Sequence, residues 1–170
     1  RYTRSARSLR KYLHDGDRLQ RANYIEVRFR HTGDFGVGYR HTMPDGLLFD
    51  MVVHHADLMR FLVGAEPVKV TATGKERKGQ WCTDASVINA SIEFSDGAFV
   101  IYSADWLSKV DRTPWNGLWT VRFTDETLVW DGGSLIRRTE QKQRTLHYSQ
   151  ESEQRPLSLP LNEFLSAISE

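Results

Sequence analysis

A chain of 170 residues has room for one domain with a sizeable core, or for a domain with part of another. Charged residues make up 26% and hydrophobic residues 39%, ordinary usage for a soluble globular protein. The balance of 23 basic against 22 acidic side chains excludes a nucleic-acid footprint and an acidic tail. The one cysteine, Cys82, can form no intrachain disulfide, so no stapled secreted scaffold is indicated. The best apolar run, 46–64, is interrupted by Asp50, His54, His55, Asp57 and Arg60 and is no membrane span. The charged opening segment shows no signal-peptide pattern, and a cytoplasmic location is expected.

Residues 1–16 read as a basic amphipathic helix, with Tyr2, Ala6, Leu9 and Leu13 at helical spacing and Asp15-Gly16 as its stop. Residues 24–30 alternate apolar with polar and predict a half-buried strand. A long Gly-containing connection follows over 31–46 and holds His31, Tyr39, Arg40 and His41; connections of that length are often functional. The clearest helix spans 47–64, with Gly64 where a C-terminal cap belongs. Period-two patterning then predicts strands over 68–73, 86–94 and 98–106, the last two joined by the turn Ser95-Asp96-Gly97. Further strands are expected at 118–124 and 127–130, with short edge strands at 135–139 and 145–148. A surface loop over 149–155 and a last helix over 161–169, after Pro160, complete the chain. Segregated helices with a run of strands indicate an α+β domain whose sheet carries the central helix on one face.

On that helix Asp50, His54, Asp57 and Phe61 share the i, i+4, i+7, i+11 face. An imidazole can accept and return a proton near neutrality, and a carboxylate one turn away can orient it and stabilise its charged form. The same spacing also serves a satisfied structural pair. A metal is a third reading, since His54, His55 and Asp57 are ligand types, but no further cluster with ligand spacing follows. Gly33, Gly36 and Gly38 precede no convincing helix and do not form a dinucleotide loop.

The stretch GLLFDMVVHHADLMRFLVG resembles the opening of the C-terminal domain in the glucose–fructose oxidoreductase / inositol dehydrogenase / rhizopine catabolism family. Gly46, Asp50, His54, Asp57 and Gly64 stand in that family's register, with Pro44-Asp45-Gly46 in place of its glycine triplet. The upstream residues resemble the last helix of the family's dinucleotide domain and the first strand of the next, and LPLNEFLSAISE resembles its C-terminal helix. The resemblance implies an open, mostly antiparallel sheet with helices packed on one face, of the dihydrodipicolinate-reductase-like type. It implies that 1–16 trail from a dinucleotide-binding (Rossmann) domain largely absent here, and that 17–170 form the substrate-binding and oligomerisation domain. It further implies hydride transfer between NAD or NADP and a hydroxyl or carbonyl carbon of a sugar, inositol or related compound. His54 would be the general base and Asp50 its electrostatic partner. Apart from the resemblance, Asp57, Arg40, Tyr39 and Arg28 are candidates for substrate contact, with Asp105 and Trp106 at a strand end as further candidates, each equally open to a structural role. No cofactor-binding or metal residues are assigned here: the nicotinamide and the family's lysine would come from the missing domain, and these residues alone are expected to be inactive.

The rival is a non-catalytic binding or dimerisation module of the same fold. Five tryptophans suggest a broad apolar sheet face, and with it a homo-oligomer paired through that face. No nucleic-acid or membrane partner is expected.

Overall fold

Alternation along Tyr24–Arg30 (β1) buries Ile25, Val27 and Phe29 and turns Tyr24, Glu26, Arg28 and Arg30 to the opposite side. In the computed structural model, which describes residues 3–34, 36, 38–147 and 165–168, this strand is central to the sheet. The others are Pro67–Lys75 (β2), Val87–Phe94 (β3), Phe99–Asp105 (β4), Leu118–Arg122 (β5), Glu126–Trp130 (β6), Leu135–Thr139 (β7) and Gln143–His147 (β8). The eight lie in the order β2-β3-β4-β1-β5-β6-β7-β8. β1 runs parallel to β4 and antiparallel to β5, and every other neighbouring pair is antiparallel. The expected open, mostly antiparallel α+β sheet is therefore the fold.

Both helices cover one face. Arg4–Leu13 (α1) starts at Thr3, whose hydroxyl accepts from the Ala6 N–H at 3.3 Å, and buries Ala6, Leu9 and Leu13. Its far end reaches the C-terminus of the central helix: Arg10 Nε donates to the Phe61 carbonyl at 2.8 Å, and His14 Nε2 lies 2.9 Å from the Leu62 carbonyl. These contacts satisfy carbonyls that a helix end leaves without partners. The central helix has two parts, a π-helical segment at Leu47–Val52 and an α-helix at Val53–Val63 (α2). Gly64 ends it in the left-handed conformation at φ 74°, beneath the His14 ring.

The core is the helix-side face. Trp106, Trp119 and Trp130 are buried there with Phe29 and Tyr102, so the tryptophans do not make an apolar outer face. The outer face carries ion pairs instead, with Glu26 between Arg28 and Arg122 and Lys69 on Glu93. The strand pattern concealed this, because an indole with one polar atom is equally at home inside or at a surface. Trp106 also fixes the loop after β1: a Cβ at Gly33 would lie 2.4 Å from its indole ring. Replacing Gly33 by Ala should therefore cost about 1–3 kcal/mol through overpacking. Urea unfolding checks this, and an unchanged midpoint would contradict the packing described.

Of the expected tail, Tyr148, the loop over 149–155, and residues 161–164 and 169 lie outside the described residues, while 165–168 are helical. No helix among the described residues is long and apolar enough to cross a membrane.

Candidate active site

The long connection after β1 folds back over the central helix. Its 3-10 turn, Tyr39–His41, delivers two side chains to Asp50. Arg40 holds the carboxylate with both arms, Nε to Oδ2 at 2.7 Å and Nη2 to Oδ1 at 3.2 Å, and the Tyr39 hydroxyl donates to Oδ1 at 2.8 Å. The bidentate fork fixes the carboxylate's plane as well as its position. Hydrogen bonding to Asp50 is the main reason that both the Tyr39 phenol and the Arg40 guanidinium hold their protons more tightly than usual. The Asp50 side chain is only 13% exposed, so its charge is matched where water is scarce.

Spacing alone had set Asp50 beneath His54. The π segment intervenes: the Val53 N–H reaches back five residues to the Leu48 carbonyl, widening the turn, so α-helical spacing does not carry across the junction. Among the described residues, no hydrogen bond joins Asp50 to His54. His54 sits at the start of α2, exposed, with no hydrogen bond or ion pair to a described residue. Asp57 is exposed one turn further on. Phe49 and Val53 on the central helix are 56% and 45% exposed, Tyr39 on the connection 58%, and Trp115 on the following strap 42%.

Arg28 is not brought to this group. Its strand turns it to the outer face, across the sheet from the helices. Asp105 and Trp106 are structural: Asp105 accepts from the Leu107 N–H at 2.8 Å and the Ser108 hydroxyl at 2.7 Å, and Trp106 is fully buried. The structure gives a different place to a residue that the sequence offered only as a metal-ligand type. His55, 1% exposed, lies 2.7 Å from the Tyr102 hydroxyl through Nδ1 and 2.8 Å from the Trp115 carbonyl through Nε2. A carbonyl only accepts, so Nε2 carries the hydrogen and Nδ1 accepts from Tyr102. Burial pushes this imidazole down to about 4, against the weaker upward pull of the Trp115 carbonyl, and pushes the Tyr102 phenol up. His55 thus anchors the 111–117 strap to the helix and leaves the Trp115 ring stacked on His31 at 4.0 Å. Its position was visible in the spacing, since Met51, His55, Leu58, Met59 and Leu62 form the core stripe.

The described residues do not form a dinucleotide cradle. The glycines at 33, 36 and 38 lead into a single 3-10 turn rather than a helix N-terminus, and Gly33 is filled by the Trp106 ring. They also contain no group of three or more His, Cys, Asp or Glu side chains able to hold a metal ion.

The profile of the family described as GFO/IDH/MocA C-terminal domain matches residues 7–129. The uncharacterized protein y4oX of Sinorhizobium fredii (strain NBRC 101917 / NGR234) is 29% identical over 119 residues, 64% of this chain and 31% of that protein. Two solved structures share the fold. An oxidoreductase from Thermotoga maritima superposes with a TM-score of 0.74 at 16% identity, covering 98% of this chain and 49% of its own. An inositol dehydrogenase homolog complexed with NAD+, from Azotobacter vinelandii, superposes with a TM-score of 0.64 at 12% identity, covering 84% and 40%. The chain therefore spans about a third of the y4oX protein and half or less of these two solved structures.

Proposed function

The chain belongs to the GFO/IDH/MocA C-terminal domain family, and from that premise we propose that it is the substrate side of a nicotinamide-dependent oxidoreductase acting on a sugar, inositol or related polyol. The observation that carries the reading is the helix face itself. A clamped carboxylate, Asp50, and an exposed imidazole with no hydrogen-bond partner among the described residues, His54, lie four residues apart on the central helix, which also exposes Phe49 and Val53. The neighbouring His55 is buried and doubly bonded, and His54 has the opposite character.

His54 takes the proton of the reacting hydroxyl as its carbon is oxidised to a carbonyl, and returns it in the reverse direction. Asp50, held by Arg40 and Tyr39, accepts a hydrogen bond from a neighbouring substrate hydroxyl. Trp115, stacked on His31, offers an aromatic wall suited to the C–H face of a sugar ring. A nicotinamide, NAD or NADP, would supply the hydride acceptor from a dinucleotide domain outside these residues.

Two experiments test the assignment. The full chain should bind neither NAD nor NADP by calorimetry, and tight binding would overturn the division of labour. The parent protein with its dinucleotide domain should oxidise a member of a sugar and inositol panel with one of the two cofactors; a well-folded protein inert to the whole panel counts against the reading. In that protein Arg40→Gln should lower kcat/KM by about 10–100-fold by freeing the Asp50 carboxylate, and Tyr39→Phe by less than about tenfold. Steady-state kinetics decides, and wild-type values in Arg40→Gln would remove Asp50 from the account.

A further inference from the structure

On the opposite face of the sheet, beside the end of β1, lies a cavity of about 470 Å³ whose lining includes Arg28, Arg30 and Arg112 together with Asp111, Asp131 and Leu118. Its volume is within the range of small-molecule sites, roughly 300–1,000 Å³. We propose that this cavity binds a small oxyanion, a phosphate- or carboxylate-bearing molecule, through the three arginines; the proposal is independent of the reading of the helix face.

Three features of the walls support it. Arg28 Nε is cut off from solvent and makes no hydrogen bond, and the Glu26 carboxylate is 3.5 Å away. Arg30 and Arg112 have no side-chain hydrogen bond or ion pair among the described residues, although both border the cavity. Of the two carboxylates, Asp131 is held in place, its Oδ1 accepting from the N–H groups of Gly133 and Ser134 at 3.0 and 2.6 Å, and its charge remains in the wall. Arg28 is ion-paired with Glu26, so the open donors in the wall are those of Arg30 and Arg112. Guanidinium groups with open donors match the planar or tetrahedral oxygens of carboxylate and phosphate.

The wall is also built rather than incidental. Thr113 is fastened to β1 on both sides, its N–H to the Arg30 carbonyl at 2.8 Å and its Oγ1 accepting from the Arg30 N–H at 3.0 Å. Pro114 follows, and Trp115 then crosses to the helix side, where His55 holds its carbonyl. Thr113 and Arg112 are therefore held against the strand that carries Arg28 and Arg30. Leu118, directly opposite Arg28 in the β1–β5 register, gives the cavity an apolar wall.

Calorimetric titration of the full chain at low salt, with pyrophosphate in one arm and citrate in the other, tests the proposal. Single-site saturation by either anion is expected, weakened at least tenfold when Arg30 and Arg112 are both changed to Gln, and weakened by added salt because the groups are partly exposed. Binding of pyrophosphate alone would assign a phosphate-bearing ligand, and of citrate alone a polycarboxylate. Two results overturn the idea: neither anion binds the folded chain, or binding survives the double substitution undiminished. A third does so as well: no anion binds and the double variant instead dissociates a dimer, which would make the cavity a contact between copies. Circular dichroism of the variant guards against misfolding, and both substituted residues lie at the surface.

Discussion

Replacing His55 by alanine is expected to destabilise the chain by about 3–5 kcal/mol, a large share of the roughly 5–15 kcal/mol typical of a domain. The ring is buried against Phe29, at 4.8 Å between centroids, so its loss leaves a cavity beside an aromatic. It also strands two buried polar groups, the Tyr102 hydroxyl and the Trp115 carbonyl. Unfolding in urea measures the effect. A change below about 1 kcal/mol would show that the ring's bonds and packing are replaceable.

The same residue gives stability a pH dependence. In the unfolded chain this imidazole titrates near 6.5, whereas in the fold it stays neutral down to about 4. Between these values the unfolded state binds the proton and the folded state does not, so the contribution is complete above pH 6.5 and is lost as pH falls towards 4. The whole span is about 3 kcal/mol. His55→Asn should flatten that part of the stability curve, and an unchanged slope between pH 6.5 and 4 would contradict the assignment.

His54 should behave in the opposite way. It is exposed and makes no bond to a described residue, so His54→Ala should change stability by no more than about 0.5 kcal/mol. Under the function proposed above, the same substitution in the parent protein should lower kcat by about 10²–10⁴-fold, the usual contribution of a positioned proton acceptor. KM should move far less, because the lost interaction develops as the hydroxyl proton leaves. A loss of stability matching the loss of activity would point to a structural histidine instead. The two neighbouring histidines thus make a matched pair: one is expected to matter to stability, and the other only to turnover.

Most of the fold was readable because its signals are local. Alternation in 24–30 and 86–94, the turn at Ser95-Asp96-Gly97 and the glycine stop at 64 each depend on a few adjacent residues. What escaped depends on tertiary packing. Nothing in LLFDMV announces a π turn, yet that turn redirects Asp50 towards Arg40 and Tyr39. The destination of Arg28 followed from its own alternation, since it lies between buried Val27 and Phe29 and must face away from the helices. Its proximity in sequence to the long connection obscured that. The tryptophans misled for a related reason, because composition counts aromatic rings without saying which face of the sheet receives them. The Arg40–Tyr39 clamp on Asp50 brings together residues named in advance, but only the folded connection shows that they act on one carboxylate.

The most direct test of the central claim is chemical rescue of His54→Ala in the parent enzyme. Nicotinamide reduction would be followed in a single turnover while imidazole is added. The account predicts that the hydride-transfer rate, depressed by the substitution, rises with the concentration of neutral imidazole, which can occupy the vacated place and take the proton. A variant that reduces the nicotinamide at the wild-type rate without imidazole would contradict it.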